Sequence, residues 1–404
     1  MCLDSDDSVR RLKVLERPLV PEADLERRRP DVFVLPYLEG RSTTQLMKEV
    51  VRDVTATDGT EWDRRAGSVL REAPQPRPAV VVLRALGLGD LLTAVPALRA
   101  LADAFPRHPR LLAAPAVLAP LARASGAVDE VIPADGLDEP LHRRLHGAGL
   151  AVNLHGRGPE SHDLLLATEP RRLVAFTHPA VPASSQGPRW RPDEHEVARW
   201  CRLLSESGIA ADPTRLDLEL PPGPVPHGAA GATLVHPGAA SPSRRWPPER
   251  FAEVIRAEVG QGRRVIVTGG PAEVDLAHDV AARAGLPDDA VHAGQGGVLT
   301  IGRLVAAAGR VVCGDTGIAH LATALRTPSV VLFGPTSPAL WGPPPDRPWH
   351  RALWAGTSGD PHGQLPDPGL LAIDVDQVTE ALADLPAAAA PRPARRAALR
   401  GRVA

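Results

Sequence analysis

Short apolar runs of strand length alternate with segments of helical spacing along most of this chain. The first run, residues 79–83, is continuously apolar, as expected for a strand buried on both faces of a sheet. Strands that alternate with helices in this way form parallel sheets whose faces are covered by helices. The pattern therefore predicts an α/β fold.

A proline-rich stretch at 221–226 divides this alternation into two halves. We therefore predict two Rossmann-like domains that face a central cleft, at 77–225 and 226–385, after an appended and partly ordered segment at 1–76 and before a disordered tail at 386–404. The predicted strands are 79–83, 110–114, 128–132, 150–154 and 173–176, then 233–236, 264–268, 291–293, 310–313 and 329–333. The predicted helices include one with Pro96 in its first turn, and 194–204, 249–259, 272–284, 301–308, 318–325 and 376–385.

Composition excludes several classes of protein. A formal net charge of −2 and an aromatic fraction of 3% argue against a nucleic-acid partner. Three widely spaced cysteines indicate a reducing cytoplasm, and the histidines lack metal-ligand spacing, so we expect neither a metal nor a cofactor. No apolar run reaches the roughly 18–20 residues of a membrane span. A cytoplasmic protein is expected, in peripheral contact with the membrane if its substrate is a lipid.

Residues 314–320 (Gly-Asp-Thr-Gly-Ile-Ala-His) join a predicted strand to a predicted helix. Free amides and the helix dipole make such a turn an anion site, with Thr316 as N-cap and Gly317 allowing close approach of a phosphate. His320 lies about one turn further on and can face the same ligand. The simplest ligand is a nucleotide diphosphate. The alternative is an ordinary capped turn, with Asp315 bonded to loop amides.

Another turn, at 84–90, follows the first strand. Gly87 and Gly89 make a tight strand-to-helix connection that leaves Asp90 at the cleft edge, where its carboxylate could act as a general base. Asp90 could equally cap the helix. A dinucleotide-binding fingerprint fails because Leu92 occupies the third glycine position, and a P-loop fails because no Gly-Lys-Ser/Thr occurs.

Two further loops follow predicted strands of the second half. In the first, Gly238 and Ser243 are small enough for backbone amides to approach phosphate oxygens, and Arg245 can neutralise a diphosphate. The alternative is an exposed basic loop, in which Trp246 packs as an apolar plug. In the second, Glu273 could accept hydrogen bonds from a ribose or could cap a helix.

Four motifs in order resemble the heptosyltransferase-type glycosyltransferases of family 9. They are Gly89-Asp90 with Pro96, the loop 243–247, the turn 314–320 and the turn 333–336. The resemblance covers about residues 79–385 and implies a GT-B fold. It also implies an inverting, metal-independent transfer from a nucleoside-diphosphate sugar, bound by the second domain, to a glycan or glycolipid acceptor, bound by the first.

The resemblance also implies roles for single residues. Asp90 matches the general base, and Arg245 matches a position usually held by lysine that meets the donor phosphates. Asp315, Thr316 and Gly317 match the residues that hold the diphosphate, and His320 matches one near the sugar. Two alternatives remain: a nucleotide-sugar epimerase-like GT-B enzyme, and a non-catalytic nucleotide-sugar-binding protein.

Overall fold

The computed structural model describes residues 77–386, and the predictions for 1–76 and 387–404 lie outside these residues. The first domain contains a five-stranded parallel sheet of order β3-β2-β1-β4-β5. Its strands are β1 (Val80–Leu83), β2 (Arg110–Ala114), β3 (Glu130–Pro133), β4 (Leu150–Asn153) and β5 (Leu173–Val174). Its helices are α1 (Leu88–Ala104), α2 (Ala119–Ala124), α3 (Glu160–Leu166) and α4 (Glu196–Glu206).

The second domain contains a six-stranded parallel sheet of order β11-β10-β9-β6-β7-β8. Its strands are β6 (Thr233–His236), β7 (Val265–Gly269), β8 (Val291–Ala293), β9 (Arg310–Gly314), β10 (Ser329–Phe333) and β11 (His350–Trp354). Its helices are α5 (Pro248–Gly260), α6 (Val274–Ala284), α7 (Val298–Ala307), α8 (Gly317–Leu325), α9 (Pro338–Trp341), α10 (Pro368–Leu371) and α11 (Val375–Ala383).

The predicted α/β fold with two Rossmann-like domains is confirmed. The strands β1, β6 and β10 are buried along their whole length, which explains why β1 is an uninterrupted apolar run and β10 is apolar after its first residue. No helix or strand occurs between α4 and β6, where the proline-rich connector lies. Among the described helices, none has the length and apolar character needed to cross a bilayer.

Several details of the sequence prediction were wrong. Helix α1 begins at Leu88, directly after the turn, so Pro96 lies inside the helix and not in its first turn. Its ring removes one backbone hydrogen bond there. Gly89, predicted to lie in the loop, belongs to the first turn of the same helix. Strand β5 ends at Val174, and β11 was not predicted.

The two domains meet through α1 and α8, which pack against each other. One apolar cluster includes Leu91 and Val95 of α1 together with Ile318 and Leu321 of α8, so the core continues from one domain into the other. Both helices begin just after a strand, α1 after β1 and α8 after β9. Their contact therefore brings the carboxyl ends of the two sheets together.

Candidate active site

The candidate site lies at the switch point of each sheet, which is where the strand order reverses. In the first sheet this point is between β1 and β4, and in the second it is between β6 and β9. Ligands of open α/β sheets bind in the crevice beyond the carboxyl ends of the strands at this point. The turns that follow these strands carry most of the residues that the sequence predicted.

Asp90 is fixed by two contacts in the first turn of α1. Its Oδ2 accepts a hydrogen bond of 3.2 Å from the backbone N–H of Gly87, the N-cap residue. Its Oδ1 lies 3.3 Å from Nη2 of Arg84, and the Asp90 side chain keeps 28% of its surface exposed. Burial raises the pKa of Asp90, Arg84 opposes this increase and Glu196 adds to it. Asp90 therefore caps its helix and also presents an oriented, accessible carboxylate.

Thr316 occupies the N-cap position of α8, as predicted, but its side chain does not cap the helix. Its hydroxyl is buried and has no hydrogen-bond partner within residues 77–386. The amides of the first turn, which begins at Gly317, are likewise not capped by a side chain. Residues 314–317 therefore form an anion turn: they offer free donors at the positive end of a helix dipole, which is the arrangement that binds anions.

Asp315 precedes this turn and is only 6% exposed. Burial raises its pKa to about 6; Arg244 opposes the increase, and the negative charge of Asp90 adds to it. The two acids, predicted to lie on opposite walls of a cleft, are thus close enough to interact electrostatically. Each makes the other harder to ionise.

Arg244, which the sequence analysis did not single out, faces Asp315. Its Nη1 donates to the Asp315 carbonyl oxygen over 3.3 Å and lies 4.0 Å from Oδ2 of the carboxylate. Arg245, the predicted cation, instead donates from Nε to the Ala239 carbonyl over 2.9 Å. Arg244 is therefore in direct contact with the anion turn, whereas Arg245 is bonded within its own loop.

The predicted Ser243 and Trp246 are both buried. The Ser243 hydroxyl has no hydrogen-bond partner in the described part of the chain, so it is a free polar group directly before Arg244. Trp246 is 1% exposed and donates its indole N–H to the carbonyl oxygen of Ile373 over 3.0 Å. This tryptophan is the apolar plug that the sequence suggested.

Glu273 follows β7 and caps the short 3-10 turn Pro271–Glu273. Its Oε2 accepts from the backbone N–H of Gly270 over 2.7 Å and lies 3.6 Å from Nε2 of His236. A Cβ added at Gly238 would come within 2.2 Å of the Glu273 carboxyl carbon. Gly238 therefore leaves the space that this carboxylate occupies, and Glu273 retains one oxygen for a ligand.

His320 connects the two domains. A Cβ added at Gly89 would lie 2.7 Å from Cδ2 of the His320 ring, and the ring also makes an edge contact with Trp341, with centroids 5.8 Å apart. Burial lowers the pKa of His320 to about 4, so the ring is neutral at physiological pH. On the other side, a Cβ at Gly317 would lie 2.9 Å from the Leu88 Cβ. The two glycines thus permit the close approach of α1 and α8.

Replacing Asp315 by asparagine is expected to stabilise the fold above pH 6. The folded state raises the pKa of this acid from 3.8 to about 6, so ionisation opposes folding. The penalty is absent below pH 4, develops between pH 4 and 6, and corresponds to about 3 kcal/mol above that range. Urea denaturation of the wild type and of Asp315→Asn at pH 4 and pH 8 measures this difference.

Asp212→Asn is a control with the opposite sign. Hydrogen bonds from Thr214 lower the pKa of Asp212, so this carboxylate stabilises the fold at neutral pH and loses that effect as the pH falls. The asparagine variant should be less stable than wild type at pH 8. An Asp315→Asn variant that is no more stable than the wild type at pH 8 would contradict the inferred burial of a charged carboxylate.

Comparison with known proteins shows which family this chain is similar to. Residues 182–357 match the model described as Glycosyltransferase family 9 (heptosyltransferase). The solved glycosyl transferase family 9 structure from Veillonella parvula DSM 2008 superposes with a TM-score of 0.63 at 20% identity, over 76% of this chain and 96% of that chain. This part of the chain is similar to the glycosyltransferases of family 9. The family 9 match includes the second-domain loops and α4 but not Asp90.

Other proteins show a similar resemblance. Lipopolysaccharide heptosyltransferase 3 of Escherichia coli is 31% identical over 128 residues, which are 30% of this chain and 36% of that protein. The aligned region thus spans about a third of this curated relative. The structure of Escherichia coli ADP-heptose lps heptosyltransferase II has a TM-score of 0.59 at 22% identity, over 76% of this chain and 97% of that chain. These structures share the GT-B fold.

Proposed function

We propose that this protein is an inverting glycosyltransferase that moves a heptose-like sugar from a nucleoside-diphosphate donor to a hydroxyl of a glycan or glycolipid acceptor. ADP-heptose is the proposed donor, because that nucleotide-sugar appears in the name of the Escherichia coli relative with the same fold. The contact between the first turns of α1 and α8 is the observation that carries the proposal. It places a carboxylate of one domain beside an uncapped anion turn of the other.

The proposed donor site extends across the carboxyl ends of the second sheet. The Gly317 turn and the free hydroxyls of Thr316 and Ser243 would hold the diphosphate, with Arg244 and Arg245 supplying positive charge. Glu273 lies on the β7 side of this site, and its carboxylate oxygen that does not bond Gly270 would accept from the ribose. His320, neutral and close to both domains, would face the sugar.

In the proposed reaction, the acceptor oxygen bonds to the anomeric carbon from the face opposite the diphosphate. Asp90 takes the proton of the attacking hydroxyl, and its raised pKa makes it a stronger base for this step. The bond from the anomeric carbon to the diphosphate oxygen breaks, and its electron pair leaves with the diphosphate. The helix dipole and the arginines stabilise the charge that grows there.

A thermal-shift screen against ADP, UDP, GDP, CDP and dTDP tests the donor assignment. We expect ADP to stabilise the protein most, because it is the nucleotide of the proposed donor. A ligand at 100 times its Kd adds about 2.7 kcal/mol to the stability of the folded state. Indifference to all five diphosphates would overturn the proposed donor site.

Chemical transfer is tested separately with ADP-heptose and a panel of glycan acceptors. A product of inverted anomeric configuration, identified by NMR, would support the proposal. Conversion of the donor without any acceptor would indicate an epimerase-like activity instead. Binding without turnover across the panel would favour a nucleotide-sugar-binding protein.

A further inference from the structure

The Arg84 guanidinium divides its hydrogen bonds between two carboxylates. Arg84 follows β1 and is only 1% exposed. Its Nη2 lies 2.9 Å from Oε1 of Glu196 and 3.3 Å from Oδ1 of Asp90, and its Nε donates to the Asp90 carbonyl over 3.0 Å. Nη1 donates to the Leu154 carbonyl at the end of β4. These bonds fix the guanidinium at the switch point of the first sheet.

Glu196 is the first residue of α4. Its side chain is 5% exposed. In addition to Arg84, its Oε1 accepts from the indole N–H of Trp200 over 2.8 Å, and its Oε2 pairs with Arg199. Arg84 also lies over the Trp200 ring, 4.8 Å from the ring centroid. A buried carboxylate with this many donors is held in one position and remains charged.

The charges of the four groups in this network sum to zero. Arg84 and Arg199 carry one positive charge each, and Asp90 and Glu196 carry one negative charge each. We propose that Glu196 is a positioning residue for the transfer reaction, which through the Arg84 guanidinium fixes the orientation and the charge environment of the Asp90 carboxylate. This inference rests on the proposed function, since it takes Asp90 as the general base.

Removal of the Glu196 charge would leave Asp90 facing Arg84 alone. The pKa of Asp90 would then fall, because a carboxylate beside an uncompensated cation ionises more easily. A weaker base would also accept the proton of the acceptor less readily. Three charged groups act on Asp90 directly: Arg84, Glu196 and Asp315. The titratable and charged neighbours of these three groups are His155 after β4, Arg199 on α4, Arg244 after β6, and His320 with His195 at the domain contact.

Two of these neighbours do not change their charge in the pH range of the assay. His155 and His320 have pKa values lowered to about 4 by burial, so both are neutral where most assays are run. Asp315 is different, because its pKa of about 6 falls in the assay range. The titration of Asp90 must therefore be observed directly and not only through the rate.

The experiment compares Glu196→Gln, Glu196→Asp and Glu194→Gln in the full chain. Glu194 is a matched control: it precedes α4 and pairs with Arg202 at 2.7 Å, without contacting Arg84. The titration of the Asp90 carboxyl is followed by 13C NMR of aspartate-labelled protein, with the signal assigned by its loss in Asp90→Asn. The pH profile of kcat/KM with ADP-heptose provides a second readout.

Glu196→Gln is expected to lower the pKa of Asp90 by about one unit. The acid limb of the profile should move to lower pH, and the plateau should fall about threefold. Glu196→Asp keeps the charge at a greater distance, so its shift should be in the same direction and smaller; it carries the test if the glutamine variant does not fold. Glu194→Gln should match the wild type.

An Asp90 titration that is the same in both Glu196 variants and the wild type would overturn the inference, even if turnover falls. A shifted Asp90 titration in a protein that transfers no sugar would instead refute the proposed function and leave the electrostatic link between Glu196 and Asp90 in place. The two failures are thus distinguishable.

Discussion

Asp90→Asn is expected to lower kcat by about 10²-fold or more while the affinity for ADP stays within a few-fold of wild type. The amide cannot take the proton of the attacking hydroxyl, so the loss falls on the chemical step. The amide oxygen of the asparagine can take the place of the Asp90 Oδ2 and accept from the Gly87 N–H, so the first turn of α1 should remain capped. Steady-state rates and calorimetric titration with ADP measure the two effects.

Asp103→Asn is the matched control for this variant. Asp103 lies in the last turn of the same helix, and its exposed carboxylate pairs with Arg215, far along the helix from the anion turn. This variant should transfer sugar at the wild-type rate. Turnover by Asp90→Asn close to the wild-type rate would show that another group removes the proton, and Asp90 would then be only a helix cap.

The sheets were predictable from the sequence because their central strands are covered on both faces. The limits of β10 were predicted to the residue, since a run in which four of five residues are apolar has a clear beginning and end. Strand β11 lies at the edge of its sheet, where polar residues such as Arg351 are tolerated and the apolar pattern is lost.

The positions of the turns after the strands were predictable from the sequence, but the side-chain contacts made in those turns were less so. Residues that follow parallel strands must lie at one edge of a sheet, so the positions of Asp90 and Asp315 followed from the strand limits. The sequence could not show which of two adjacent arginines faces the crevice. A short 3-10 turn, Pro242–Arg244, sets that choice by directing Arg244 to Asp315.

Contacts between distant segments left no signal in the sequence. Glu196 and Arg84 are separated by 112 residues and meet because α4 packs against α1. A charged residue directly after a buried strand, as at Arg84, is the one local sign of such a pair, because a buried arginine needs a carboxylate partner. The partner itself had to be seen in the structure.

Arg244→Ala is expected to weaken ADP binding by about 10- to 100-fold, and Arg245→Ala by much less. A hydrogen bond between charged groups contributes about 1.5–3 kcal/mol, which corresponds to this range. Arg244 contacts the anion turn through Asp315, whereas Arg245 is committed by its Nε to the Ala239 carbonyl. Calorimetric titration of both variants with ADP measures the difference.

Two further variants make the comparison specific to charge at the anion turn. Arg244→Lys keeps the positive charge but not the planar fork, so it should recover part of the lost affinity. Arg256→Ala removes an arginine of α5 that bonds the Arg283 carbonyl, and it should bind ADP as the wild type does. A larger loss for Arg245→Ala than for Arg244→Ala would assign the diphosphate to Arg245. In that case the contact between Arg244 and Asp315 would serve to neutralise a buried acid, and the donor would lie closer to the Ala239 side of the loop.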